Sequence, residues 1–263
     1  MRIITLLSDF GASSPYPAEM KGVLLSACRA RLVDITHDVP SHDVAAGAYL
    51  LAAATPAFPV GTIHLAVVDP GVGTPRQALA VGSGGCVFVG PDNGLLMRAA
   101  RAAGEPRAFA IDPVRFARHP MSATFHGRDL FAPAAAALAR GLPLEQIGPP
   151  AATPVELPEH PPERVGGTVR GQVIFRDRFG NLITNIPGHW LGGVAGPLTL
   201  ELPGGRSPAR AVRTYAEGTG QEILVVVGSG GTLEIAVNTG SAADTLGIGV
   251  GDLLAVLLDA RHP

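Results

Sequence analysis

Asp69 and Arg76 stand seven residues apart in the stretch VDPGVGTPR, a carboxylate and a guanidinium on either side of a Pro/Gly-dense turn. Pro70-Gly71 suits a type II turn, with proline at its second position and glycine at its third, where φ must be positive. Gly73 and Pro75 add a second bend, so the chain doubles back and sets Arg76 beside Asp69. A carboxylate at the C-terminal end of a buried strand, kept ionised by a fixed cation, can serve as a polar reaction site. The same pair reads equally as an ion pair bracing a tight turn. His126, in Phe125-His126-Gly127-Arg128-Asp129, precedes a helix. It is either a capping and packing group or, beside a glycine that permits close approach, an acid–base group.

Two further patches lie later in the chain. Asp177-Arg178-Phe179-Gly180-Asn181 places a carboxylate, an aromatic ring and an amide within five residues. It is either a plain β-turn or a patch where Phe179 stacks on a flat ring whose edge Asn181 hydrogen-bonds. Gly228-Ser229-Gly230-Gly231 is either a hairpin turn or a run of bare backbone N–H groups able to hold a carboxylate. Other patterns exclude themselves. Gly71-Val72-Gly73 lacks the third glycine and the downstream acid of a dinucleotide loop. Asp9, Asp69, His126 and Asp129 show no metal-ligand spacing, and Arg76 would repel a cation at Asp69, so no metal is expected. Cys28 and Cys86 read as buried free thiols, with neither zinc spacing nor a disulfide framework.

These groups need elements to position them. Short apolar runs at Arg2–Leu7, Arg31–Thr36, Ile63–Val68, Ala78–Val81, Cys86–Val89 and Arg107–Ile111 predict strands. Helices are predicted from Pro17 to about Cys28, from an Asp43 cap to Ala54, across Leu95–Ala103 with Asn93 as cap, and over Leu130–Arg140. That alternation is an α/β domain, residues 1–150, with a mostly parallel sheet, and Asp9 and Asp69 both follow predicted strands. Six prolines fall within residues 149–162, and 151–164 reads as a linker. From 165 to 263 the pattern becomes apolar runs between Gly/Pro turns: Thr168–Phe175, Leu182–Ile186, Leu198–Leu202, Ile223–Val227, Leu233–Val237 and Leu253–Leu258. With one short helix at Ala242–Leu246, they predict a small all-β, barrel-like domain.

With 46% hydrophobic and 16% charged residues, the chain of 263 residues has ample material for a core, and its length suits two domains or one large one. A net charge of −2 without a basic cluster argues against nucleic acid as a partner. Low surface charge favours self-association. Ser8 and Asp9 come too early for a signal peptide, and the alanine-rich stretch near Val44–Phe58 is broken by Pro56, so no membrane span and a cytoplasmic location are expected.

Taken together, LLSDFG (6–11), VDPGVGTPR (68–76), VGPDNGL (89–95), TFHGRDLFAP (124–133), DRFGNLITNI (177–186) and EIAVN (234–238) resemble the S-adenosylmethionine hydroxide adenosyltransferase family, relatives of the fluorinase and chlorinase enzymes. The matches span nearly the whole chain in the family's order. The resemblance implies an α/β domain followed by a β-barrel, a homotrimer, and sites between one subunit's N-terminal domain and its neighbour's C-terminal domain. It puts the family's catalytic set on Asp69, Arg76 and His126, the ribose contact on Asp9, adenine on Phe179 and Asn181, and the methionine ammonium and carboxylate on Asp177 and Ser229. The halogenases carry tyrosine, threonine, tyrosine and serine where this chain has Asp69, Val72, His126 and Gly127. The halide pocket thus loses its hydroxyls, and water becomes the expected nucleophile. The implied reaction is hydrolysis of S-adenosyl-L-methionine at ribose C5′ to adenosine and L-methionine, with no cofactor. His126 is the natural proton acceptor near neutral pH, though spacing does not order it against Asp69. Two rivals are a metal-dependent nucleotidase-like phosphatase, suggested by Ser8-Asp9, and a non-catalytic adenosyl-ligand-binding protein, suggested by the Phe179/Asn181 patch.

Overall fold

The computed structural model describes residues 1–258, so the last five residues of the predicted 165–263 domain lie outside the described part. Contacts divide the chain into a unit of Met1–Leu157 and a second unit that begins at Pro158. The first unit runs β1 (Arg2–Ser8), α1 (Tyr16–Ala27), β2 (Ala30–Thr36), α2 (Val44–Ala54), β3 (Ile63–Val67), β4 (Ala78–Ser83), β5 (Cys86–Pro91), α3 (Met97–Ala103), β6 (Arg107–Ala110), α4 (Pro113–Phe116) and α5 (Ala132–Ala139). Its sheet has the order β2-β1-β3-β5-β4-β6. The neighbours β2, β1, β3 and β5 are parallel, whereas β4 is antiparallel to both β5 and β6. The expected α/β class with a mostly parallel sheet is what forms. The reversal at β4 is local: Gly84 and Gly85 both have positive φ, +56° and +77°, which makes a tight hairpin turn with no room for a crossover.

The core alternates across the sheet. Ile4, Leu6, Ile63, Leu65 and Val67 join Met20 and Leu24 of α1 and Ala134, Ala135 and Leu138 of α5 in one buried cluster. Alanine at so many α5 positions lets that helix lie close on the strands at little entropy cost. Because β1, β3 and β5 are adjacent and parallel, their C-terminal ends open on one side, where Asp9, Asp69 and Asn93 follow them.

Several boundaries differ from expectation for identifiable reasons. The type II turn is displaced. Gly71 does not take positive φ, although the Val72 N–H bonds the Asp69 carbonyl at 3.1 Å; the left-handed residue is Gly73, at +78°, inside the next turn, Gly71–Thr74. Asp43 caps α2 as predicted, accepting from the Ala46 N–H at 2.8 Å. Asn93 does not cap α3, which starts at Met97; its amide instead donates to the Val68 carbonyl at 2.8 Å and so ties down the end of β3. Ahead of α5, Gly127–Phe131 forms a π-helical turn where continuous α-helix was expected from Leu130. Within the segment read as a linker, the Val155 N–H bonds Asp92 at 2.7 Å and Glu156 pairs with Arg101, so its first half lies on the N-terminal unit.

The second unit contains β7 (Glu163–Val165), β8 (Thr168–Arg176), β9 (Leu182–Pro187), β10 (Gly196–Leu202), β11 (Gly205–Ala211), β12 (Ile223–Val227), β13 (Thr232–Val237), α6 (Ala242–Leu246) and β14 (Leu253–Leu257). Strands β8 to β14 close into a barrel through the β14–β8 pairing, with β7 added beside β8. Strand β11, GRSPARA, was not foreseen because it has no apolar run and contains Pro208. Proline is tolerated there because pairing with β12 begins only at Arg210, so no ladder bond is lost on that side. No helix among the described residues is long and apolar enough to cross a membrane.

His64, in the middle of β3, is fully buried. Its Nδ1 meets the Thr5 hydroxyl at 2.8 Å and its ring stacks on Phe88, while Nε2 finds no hydrogen-bond partner among the described residues. Burial pushes its pKa down to about 4, against an unfolded value near 6.5. The native state therefore resists a proton that the unfolded chain accepts. Stability is intact above pH ~6.5 and declines as pH falls toward 4, by up to about 3 kcal/mol. Denaturant titrations at pH 7 and pH 4.5 are expected to show a smaller acid loss for His64→Leu than for the native chain; parallel losses would refute this assignment.

Candidate active site

Strand β3 is followed by the fully buried Val68, which delivers Asp69 into the turn that returns as β4. At its far end Arg76 folds back over the carboxylate. Its Nε donates to Asp69 Oδ1 at 2.9 Å and its Nη2 donates to Asp69 Oδ2, a two-point fork. The same Nη2 also donates to His126 Nδ1 at 2.9 Å, and the guanidinium carbon lies 5.2 Å from the centre of the Phe131 ring. The side chains of Asp69 and Arg76 are only 5% and 11% exposed, so their attraction is little screened by solvent. Gly73 makes this approach possible: a Cβ there would meet the Ala123 carbonyl oxygen at 2.6 Å, in addition to the strain at its φ. Thus the structure gathers the three residues that sequence spacing had only placed near turns.

The contact between Arg76 and His126 has one polarity. A guanidinium has no acceptor and does not deprotonate, so Nδ1 must accept and the ring proton of neutral His126 resides on Nε2. The His126 pKa is lowered by burial and then by the Arg76 charge, with Asp69 and Asp129 opposing in part. The ring is therefore a neutral Nε2–H donor near pH 7. It is not a ready base.

Asp69 and His126, the two groups that Arg76 bonds, border a cavity of about 260 Å³ whose wall also includes Asp9, Phe10, Tyr16, His42, Thr124 and Phe125. Asp9 is fixed by the His42 N–H, which donates to its Oδ2 at 2.9 Å. His42 takes a left-handed φ of +67°, uncommon for a residue other than glycine and a mark of local constraint. Phe10, Tyr16 and Phe125 meet edge to face, with ring centres 5.2 to 5.8 Å apart. Tyr16 and His42 escaped the sequence reading. One looked like part of a flexible loop and the other like the residue before a helix cap. Among the described residues no group of three or more His, Cys, Asp or Glu side chains is arranged to hold a metal ion, and both Asp69 oxygens are taken by Arg76.

In the second unit Asp177, Phe179 and Asn181 share the turn between β8 and β9. Asp177 Oδ1 accepts from the Phe179 and Asn181 N–H groups at 2.8 and 2.9 Å, and its Oδ2 accepts from the Asn181 amide at 2.9 Å. The carboxylate thus organises the turn. Phe179 stands 70% exposed at its tip, a largely open aromatic ring. Ser229 is not gathered with them: its hairpin turn is anchored by the Gly188 N–H to the Gly231 carbonyl at 2.8 Å, at the opposite end of β9 from Asn181. Nearby, the Tyr215 hydroxyl donates to Glu234 at 2.6 Å, a pair with no sequence signal. Burial and the facing carboxylates of Glu234 and Asp177 push the Tyr215 pKa well up.

Comparisons with known proteins bear on both units. Residues 4–148 match the SAM hydroxide adenosyltransferase N-terminal domain, and residues 171–255 match the C-terminal domain of the same family. A Thermus thermophilus protein named (R)-S-adenosyl-L-methionine hydrolase is 43% identical over 95% of this chain and 98% of its own length. A Salinispora tropica protein of the same name is 44% identical over 96% of this chain and 97% of its own. The crystal structure of an uncharacterized conserved protein from Thermotoga maritima superposes with a TM-score of 0.91 at 35% identity, covering 97% of this chain and 99% of that one.

Proposed function

Because the chain belongs to the SAM hydroxide adenosyltransferase family, and relatives spanning nearly its full length are named (R)-S-adenosyl-L-methionine hydrolase, we infer that it is an enzyme that hydrolyses S-adenosyl-L-methionine. We propose that adenosine and L-methionine are its products and that Asp69, Arg76 and His126 perform the reaction. The observation that carries the residue assignment is the Asp69–Arg76–His126 contact set at the edge of a cavity.

In this mechanism a water molecule lies between the Asp69 carboxylate, which accepts one of its hydrogens, and the Nε2–H of His126, which donates to its oxygen. That oxygen attacks C5′ in line with the sulfonium. The O–C5′ bond forms, the C5′–S bond breaks, and its electron pair returns to sulfur, giving a neutral thioether. No general acid is needed for such a leaving group. The proton released by the attacking water moves toward Asp69. In this proposal His126 orients and Asp69 accepts, an order that residue spacing alone leaves open. Asp9 holds the ribose hydroxyls.

At about 260 Å³ the N-terminal cavity falls below the roughly 300–1,000 Å³ of a site that encloses a drug-sized ligand. It suits the ribose and sulfonium better than the whole molecule. We propose that the exposed Phe179 with Asn181, and Asp177 and Ser229, from a neighbouring copy in a homotrimer cover the adenine and methionine ends. In the same proposal the location is cytoplasmic and no cofactor takes part.

Chelator-treated protein incubated with S-adenosyl-L-methionine is expected to release adenosine and methionine in equal amounts, measured by chromatography. Recovery of activity only on adding a divalent metal, or phosphate release from a nucleoside monophosphate, would favour the phosphatase reading. Tight adenosyl-ligand binding without turnover would favour a sensor.

A further inference from the structure

Asp129 lies within the π-helical turn and is not one of the residues lining the reaction cavity. Its side chain is only 2% exposed, so its charge needs internal partners. Arg128 supplies a fork to it, Nε to Oδ1 at 2.7 Å and Nη2 to Oδ2 at 2.8 Å. The Ser122 N–H donates to Oδ2 at 2.9 Å. The backbone repeats the tie, with the Arg118 N–H on the Asp129 carbonyl at 2.8 Å and the Asp129 N–H on the Phe125 carbonyl at 3.1 Å. Arg128 continues to Glu19 on α1 at 2.8 Å and sits 5.0 Å over the Phe125 ring.

The topology of these bonds matters more than their number. The Asp129 carboxylate closes the loop from Ser122 to Asp129 on itself, and Thr124, Phe125, His126 and Gly127, the four cavity-lining residues of this stretch, all lie inside that closed loop. The loop also supplies the Ala123 carbonyl that packs on Gly73. One buried carboxylate therefore sets the loop that carries His126 against the turn that carries Arg76. We propose that Asp129, held by Arg128, is a positioning residue for the hydrolysis: it fixes the His126 ring where Nδ1 meets Arg76 and Nε2–H faces the attacking water. It touches no reacting atom. This inference rests on the assignment of His126 above.

Misplacing a reacting group by about 1 Å can cost roughly 100-fold. Asp129→Asn keeps the shape, loses the charge and weakens the fork. Its kcat with S-adenosyl-L-methionine is expected to fall about 10- to 100-fold, while KM stays within a few-fold. The charged groups that act on His126 are Arg76, Asp69 and Asp129, and loss of the last removes an influence that raises the His126 pKa. The acid limb of the kcat profile is accordingly expected to move to lower pH, which a purely structural defect would not cause. If Asp129→Asn does not fold, Arg128→Lys decides, since it keeps the charge but not the fork: reduced kcat at unchanged KM supports the proposal and native kcat overturns it. A folded Asp129→Asn enzyme with native kcat and an unmoved acid limb also overturns it, as does a loss that merely tracks the folded fraction on warming. His126→Ala run in parallel separates the two claims. Full activity there sinks the assignment of His126 itself, whereas a dead His126→Ala beside a native-like Asp129→Asn sinks only the role of Asp129.

Discussion

Asp69→Asn is expected to lower kcat by about 10²–10⁴, the usual span for loss of a positioned proton acceptor, while S-adenosyl-L-methionine still binds. The amide keeps the size and one acceptor oxygen, so one arm of the Arg76 fork is kept and the other is lost. What it removes is the negative charge that the proposed mechanism uses to draw the proton from the attacking water. Alanine would be a poorer test. Arg76 is only 11% exposed and Asp69 5%, and truncating one partner of so buried a pair typically costs about 3–5 kcal/mol, so lost activity would mix with lost fold. Single-turnover kinetics together with a binding isotherm for the substrate separate the cases. A folded Asp69→Asn protein that hydrolyses at the native rate would remove Asp69 from the mechanism.

Arg76→Met is expected to have an effect of similar size and, in addition, to change the pH dependence in a defined direction. Arg76 does two things: it forks Asp69, and it donates to His126 Nδ1. Without it the imidazole is free to carry its proton on either nitrogen, and the Nε2–H that faces water is no longer fixed. The guanidinium also lowers the His126 pKa, second to burial, against Asp69 and Asp129 which raise it. With the cation gone, the remaining charges favour protonation, so the His126 pKa rises. Activity requires the neutral ring to hold its Arg76-directed geometry, so the acid limb of kcat should move to higher pH, opposite to the shift expected for Asp129→Asn. Arg76→Lys keeps a charge but not the planar fork. It should restore part of the pH position and little of the rate. A kcat–pH profile of Arg76→Met that coincides in shape with the native one would contradict the tautomer assignment, since that rests on this single contact.

The two shifts together test the electrostatics of the site more stringently than either rate loss. Cation and anion flank one imidazole from different elements, the β3–β4 turn and the π-helical turn, and their removal must displace the same titration in opposite senses. A loss of order that affected both variants alike would not do so.

Much of this protein was legible in its residues. The alternation of β-branched runs with alanine-rich helical stretches determined an α/β unit, because those periods permit little else. The change after the prolines to short runs between glycines determined a β-rich second unit. Asp43 could be read as a cap, and Asp9 and Asp69 as strand-end carboxylates, because both signals are local in the chain. What only the tertiary structure decided is everything that depends on distant residues meeting. Pro70-Gly71 pointed to the left-handed position, yet Gly73 takes it, and there the Ala123 carbonyl from a loop fifty residues later leaves no room for a Cβ. The barrel needed β11, whose polar, proline-bearing segment acquires its strand from its neighbours. No spacing rule could reveal that Arg76 bonds His126 at Nδ1. That contact puts the proton of the neutral ring on Nε2, because the proton location on an imidazole is set by what its other nitrogen touches.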